Sequence, residues 1–250
     1  MLKSILFAFY QLTRLPLPCV IFEEKSCGRS TAFFPAVGLL LGLILAALAW
    51  AAQWCFPEQV RAALLVTGLI VLTGGIHLDG FMDSIDGLLS GRPRERKLEI
   101  MRDSRVGAFG VTGAVCLLLT KYTLILGLPG QSLTWVLITV PVLSRWSMVF
   151  AITAFPYARL EGLGKVYAVY AGRKELLIAT LIAALVAGLT LNLLGAWLMF
   201  AGAAFTYLVC RRISRALGGL TGDIYGFINE MTEVVLLTAV YPYLQLNAGI

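Results

Sequence analysis

The chain has 250 residues, 59% of them apolar and only 14% charged. A soluble domain carries about 25% charged residues, so composition alone excludes a water-soluble globular fold and points to an integral membrane protein. The net charge of +6 does not argue for nucleic acid, because no basic cluster is interleaved with aromatic stacking platforms.

In chain order, the first element is amphipathic. Leu2, Ile5, Leu6, Phe9 and Leu12 share one helical face, with Lys3, Ser4, Gln11 and Arg14 clustered on the other. This pattern predicts an interfacial helix on the cytoplasmic leaflet. Pro16 and Pro18 stop it, and the residues before Cys19 do not resemble a processing site, so a cleaved signal is not expected. Apolar runs near the crossing length of about 20 residues then predict spans over 33–54, 60–80, 108–127, 132–153, 176–194, 196–210 and 227–246. The expected fold is all-α: a single integral membrane domain over 1–250, a polytopic helical bundle of about seven spans.

Charge sorting supports that count. Seventeen of the 20 Lys and Arg fall before the first span or in the loops after the second, fourth and sixth. By the positive-inside rule the N-terminus and those loops are cytoplasmic and the C-terminus is outside. Five scattered cysteines (19, 27, 55, 116 and 210) lack a C-x2-C pair and read as small apolar fillers.

The stretch GGIHLDGFMDSIDGLLSGRPRERKLEIMRDSRVGAFG, residues 74–110, carries the chemistry. Asp79, Asp83 and Asp86 stand at i, i+4 and i+7, inside an arc of roughly 60° on one helical face. Three carboxylates so placed repel one another unless a cation lies between them. Hard oxygen donors suit Mg²⁺ or Mn²⁺. Arg92, Arg94, Arg96, Lys97, Arg102 and Arg105 follow directly. A hard-metal cage beside a cationic segment is what phosphoryl chemistry requires. The competing reading, a polar helix end with positive-inside flanks, explains the cations but not three aspartates on one face.

HLDGFMDSIDG and RERKLEIMRDSRVGAFG, together with TRLPLP at 13–18, FPAVGLLLG at 34–42 and GLTGDIYGFINEMTEVVLL at 219–237, resemble the cobalamin 5′-phosphate synthase (adenosylcobinamide-GDP ribazoletransferase) family. The resemblance implies a membrane enzyme that joins adenosylcobinamide-GDP to α-ribazole or its 5′-phosphate, with Mg²⁺ and release of GMP. The setting it implies is the cell inner membrane, with the active site facing the cytoplasm. The family is grouped by chemistry with the CDP-alcohol phosphotransferases. Their signature reads D-x2-D-G-x2-A-R, then G-x3-D-x3-D. This chain has Asp79-Gly80 and Asp86-Gly87, but no Ala-Arg follows, and no second D-x3-D comes after Gly107.

With the resemblance, Asp79, Asp83 and Asp86 are expected to hold Mg²⁺. Asp79, Asp83 and Asp103 form the catalytic set, with Asp83 or Asp103 taking the hydroxyl proton. Arg102, Arg105, Lys121, Arg145, Asp223, Asn229 and Glu230 are the expected substrate-binding set. Lys121 and Arg145 lie within apolar spans, where a charge faces the bundle interior or a water-filled cavity. Their expected partners are carboxylates of the second and seventh helices, and a purely structural ion pair is the competing role. Glu230 and Glu233 are expected at the start of the last span. His77, the only histidine, reads as a structural residue before a catalytic one. The 156–175 loop, with Tyr157, Arg159, Glu161 and Lys165, is too long for a simple connection, but nothing in the sequence ranks its residues. Oligomeric state is left open, a homo-oligomer included. The alternatives are a lipid-forming phosphotransferase and a cation-coupled transporter; the missing motif elements speak against the first. A transporter would show broken helices paired near the midplane.

Overall fold

The computed structural model describes residues 1–18 and 20–248 and is all-helical. Its helices are α1 (Leu2–Leu12), α2 (Glu24–Arg29), α3 (Phe34–Ala52), α4 (Glu58–Thr73), α5 (Ile76–Leu89), α6 (Arg94–Ile100), α7 (Ala108–Leu126), α8 (Gly130–Ala154), α9 (Leu163–Tyr170), α10 (Arg173–Leu217) and α11 (Gly222–Ala248). Among the described residues four helical runs are long and apolar enough to cross a bilayer: 24–52, α7, α8 and α10. The pair α4 and α5 makes a fifth if it counts as one broken span. Ile250, at the expected outer C-terminus, lies outside the described residues.

α8 is the hub. Its residues from Val136 to Val149 are buried without interruption, so it is surrounded by protein rather than lipid. α3 packs on it through Gly38 and Gly42, where side chains would collide with the α8 backbone at Pro141 and Ile138. Small residues four apart let two helix backbones approach closely in a membrane, where packing rather than water exclusion drives association.

The expected span over 60–80 differs from the structure in an informative way. The run over 60–80 is not one helix. Gly74 and Gly75 take φ of 65° and 70°, a left-handed pair that ends α4 in the manner of a glycine C-cap. α5 leaves at 92° to α4. The expected spans 176–194 and 196–210 fall on α10, whose helical φ/ψ break at Asn192 (φ 49°, ψ −122°). A side chain at Gly195 would collide with the Ala187 carbonyl. Residues eight apart on a straight helix are separated by about 12 Å. The chain therefore folds back at Asn192, and the halves 173–191 and 193–217 form a tight hairpin.

The N-terminal helix forms as expected, but its buried face differs. Ser4, Phe7, Ala8 and Leu12 are buried against the segments that lead into α3, while Leu2 is exposed. Protein packing, not the bilayer alone, sets which stripe turns inward. α6 begins immediately after Pro93, and Met101 just beyond it is buried against Gly87 of α5.

Candidate active site

α5 carries the acids, and its crossing with α11 builds the site. Glycines make that crossing possible. A Cβ at Gly80 would stand 3.0 Å from the Asp223 carbonyl oxygen, and one at Gly226 would stand 3.0 Å from the His77 carbonyl oxygen. Phe81 and Phe227 stack across the same contact with ring centroids 5.6 Å apart. Asp223, in the first turn of α11, thereby joins the α5 aspartates. Asp79 and Asp223 line one cavity of about 200 Å³ with His77, Gly222, Tyr225 and Gly226. Half-buried Asp83 feels the charges of Asp79, Asp223 and Asp86, in that order.

One cation answers these acids. Arg159 Nη2 lies 2.7 Å from Asp223 Oδ2. Its segment is clipped to the start of α11 by two backbone bonds: the Ala158 amide donates to the Leu220 carbonyl, and the Leu220 amide donates to the Pro156 carbonyl, both at 2.8 Å. Thr221 Oγ1 accepts from the Ile224 amide at 3.3 Å, capping α11.

Asp86 meets a different neighbour, α7. Its two oxygens accept the amides of Gly107 and Gly110, both at 2.8 Å. A side chain at either glycine would run into the Asp86 carboxylate. Asp86 therefore caps the N-terminus of α7, where free amides and the helix dipole favour an anion. Down one helix face the acids pass from exposed Asp79 through half-buried Asp83 to buried Asp86.

Asp103 lies on the exposed loop before α7. Arg105 grips it with Nε at 3.0 Å and Nη2 at 2.7 Å, and the Arg105 amide adds a third bond at 3.0 Å. These bonds hold its carboxyl down to about 2. Arg102 is exposed and has no carboxylate partner among the described residues.

A second charged cluster lies deeper. Lys121 of α7 hydrogen-bonds both Glu230 and Glu233 of α11. Arg145 of α8 pairs with Glu233 and donates to Ser144 Oγ at 3.0 Å. Asn229 Nδ2 also donates to Glu233, at 3.3 Å. His77 Nδ1 sits 3.5 Å from Arg145 Nη2. All these side chains are buried. Two cations meet two carboxylates, so the quartet is neutral. Glu230 and Glu233 are not at the start of a helix, as expected from the sequence: α11 begins at Gly222, about 12 and 16 Å earlier along its axis. The expected carboxylate partners do come from the last helix, but α5 contributes His77 instead.

The candidate residues thus fall into three places. Asp79, Asp83 and Asp223 gather at the α5–α11 crossing, with Asp86 turned towards α7. Lys121, Arg145, Asn229 and Glu230 assemble in the bundle interior. Arg102, Asp103 and Arg105 stand on the outer loop. Sequence reasoning did not rank Arg159, nor single out Ser144 or Thr221. For Arg159 the missing signal was charge balance: the crowded acids require a cation, and the 156–175 loop is one of the segments that could supply it.

Several apolar helices long enough to cross a bilayer, around a buried charge-balanced hub with surplus acids at one crossing, are the architecture of an α-helical membrane protein with a polar centre. The cobalamin-5-phosphate synthase family model matches residues 4–241. A protein of Desulfitobacterium hafniense named adenosylcobinamide-GDP ribazoletransferase is 41% identical, over 97% of this chain and 98% of its own. Proteins of the same name from Roseiflexus sp. (43% identical, 90% and 84% covered) and Acetivibrio thermocellus (38%, 97% and 98%) are similar throughout. The chain belongs to the cobalamin-5-phosphate synthase family. No solved structure matches it.

Proposed function

We propose that this chain is an Mg²⁺-dependent transferase that joins adenosylcobinamide-GDP to α-ribazole or α-ribazole 5′-phosphate and releases GMP. The family and the names of its relatives supply the substrates. The observation that carries the chemistry is the excess of carboxylates at the α5–α11 crossing: Asp79, Asp83 and Asp223 face a single arginine. Among the described residues no three such groups converge closely enough to hold a cation alone. Magnesium typically takes one or two carboxylates and completes its shell with water and substrate phosphate oxygens. Two of Asp79, Asp83 and Asp223 serve as donors in this reading. When bound, the ion neutralises charge on the diphosphate.

The protein's own groups do the rest. Asp83 accepts the proton of the attacking ribose hydroxyl at a carboxylate oxygen. The new bond forms from the ribose oxygen to the phosphorus attached to cobinamide, and the bond from that phosphorus to the bridging oxygen breaks, so that GMP leaves with that oxygen. Asp83 suits this role better than Asp103, whose grip by Arg105 leaves it a weak proton acceptor. Arg159 holds Asp223 towards the site, and Asp86 fixes α5 against α7.

In the membrane, the α10 hairpin counts as two crossings and the broken α4–α5 pair as one. With α3, α7, α8 and α11 the reading is seven spans, N-terminus inside. The acidic crossing then lies at the cytoplasmic boundary of the cell inner membrane, beside the basic loop that follows α5.

Purified protein in detergent or liposomes should release GMP from adenosylcobinamide-GDP only when Mg²⁺ and an α-ribazole acceptor are both present, and EDTA should abolish the product. Transfer to a lipid alcohol instead would show a lipid-forming enzyme, and metal-driven solute uptake without GMP release a transporter.

A further inference from the structure

A second opening is lined by Arg159, the residue that pairs with Asp223. It is a groove of about 550 Å³ between α6 and the 158–161 segment, lined by Arg94, Leu98, Arg102, Arg159 and Glu161, among others. Arg94 Nε donates to the Leu217 carbonyl at 2.7 Å, which ties α6 to the C-terminal end of α10 and fixes one wall. Two glutamates at this wall are already engaged, Glu95 by Arg94 and Glu99 by Arg96. Segment 92–105 as a whole carries six cations against three carboxylates.

Two arginines are left with capacity to spare. Arg102 is exposed and unpaired among the described residues. Arg159 has a side chain only 10% exposed, and its buried Nε has no hydrogen-bond partner. A buried guanidinium N–H left without an acceptor is costly, so an acceptor delivered by a ligand would relieve it. Planar guanidinium groups match phosphate oxygens.

We propose that this groove is a second phosphate subsite, distinct from the carboxylate centre, in which Arg102 and the guanidinium of Arg159 hold a phosphate group of a substrate. The proposal rests on the transferase reading above. Arg159 would then pair with Asp223 through Nη2 while another of its N–H groups binds the phosphate. Within that chemistry the phosphate has two sources: the guanylyl phosphate of the donor, or the 5′-phosphate of the acceptor. Either makes the groove a specificity determinant rather than part of the proton-transfer machinery.

The test is steady-state GMP release by the full-length protein in liposomes, with α-ribazole and with its 5′-phosphate, for the parent, Arg102→Gln and Arg159→Lys. Arg102 is exposed, so its replacement leaves the fold intact. Loss of one charged hydrogen bond should raise the KM of the bound partner about 10- to 100-fold with a smaller change in kcat. A rise confined to the phosphorylated acceptor supports the subsite and assigns it to the acceptor. A rise in donor KM, equal with both acceptors, supports it and assigns it to the donor. Unchanged KM values for donor and both acceptors in Arg102→Gln and Arg159→Lys overturn the subsite, while the transferase reading stands. If the parent protein releases no GMP with either acceptor, the transferase reading itself is wrong.

Discussion

Two charged regions of this molecule are built from the same side-chain types and differ in balance. In the bundle interior Lys121 and Arg145 meet Glu230 and Glu233, and every charge has a direct partner. At the α5–α11 crossing, Asp79, Asp83 and Asp223 share one arginine. A neutral quartet in an apolar bundle links α7, α8 and α11 through its ion pairs. An open cluster with surplus negative charge lines a cavity, and in the proposed reading a cation completes it. Charge balance, rather than the presence of charge, separates scaffold from site.

Breaking the balanced region should have the largest effect. Arg145→Met leaves Glu233 with one cation instead of two in a buried setting, a loss of roughly 3–5 kcal/mol for a broken buried pair. Folded yield and Tm in detergent should fall before any catalytic change is measurable. A well-folded but inactive variant would move Arg145 into the substrate site.

The unbalanced region should respond in the opposite way. Asp83→Asn and Asp79→Asn relieve repulsion, so both should fold normally. Each should lose turnover by about 10²–10³-fold, the scale expected when several kcal/mol of charge stabilisation are removed. Near-parental rates in both, at unchanged Mg²⁺ requirement, would remove these acids from the chemistry.

Asp86 lies between the two cases, an acid whose partners are backbone amides. Asp86→Ala should cost about 1–2 kcal/mol through loss of the α7 cap, read as a lower Tm together with reduced turnover as α5 loosens. The smallest effect belongs to Asp103, an exposed acid paired within its own loop. Asp103→Asn should keep turnover within a factor of about two, since surface ion pairs contribute little; a large loss would restore it as the base.

Much of this was legible in the sequence, and the limits have physical causes. α3, α7 and α8 match the apolar runs to within two residues, because a helix in a membrane needs a minimum apolar length and little else. The three aspartates fell on one α5 face, and Lys121 and Arg145 found acids on the last helix, since buried charges must pair. The 92° break after Thr73 was marked only by Gly74-Gly75; hydropathy does not register a left-handed φ. The chain reversal at Asn192 was visible as two candidate spans, but not as a tight hairpin. The partners of Asp86 lie 21 and 24 residues away as backbone amides, and no side-chain pattern announces a backbone donor. Arg159 became distinguishable from Lys165 only when Pro156 and Ala158 were seen bonded to Leu220.

The central claim is that the unbalanced acids hold a divalent cation and the balanced quartet does not. Mn²⁺ bound by the detergent-purified protein, measured by electron paramagnetic resonance with adenosylcobinamide-GDP present, tests it most directly. Mn²⁺ prefers the same oxygen donors as Mg²⁺. The account predicts Mn²⁺ bound to the parent and to Asp103→Asn, and lost in the Asp79→Asn/Asp83→Asn double variant while its fold is retained. Undiminished Mn²⁺ binding in that double variant, or none in the parent, would contradict it.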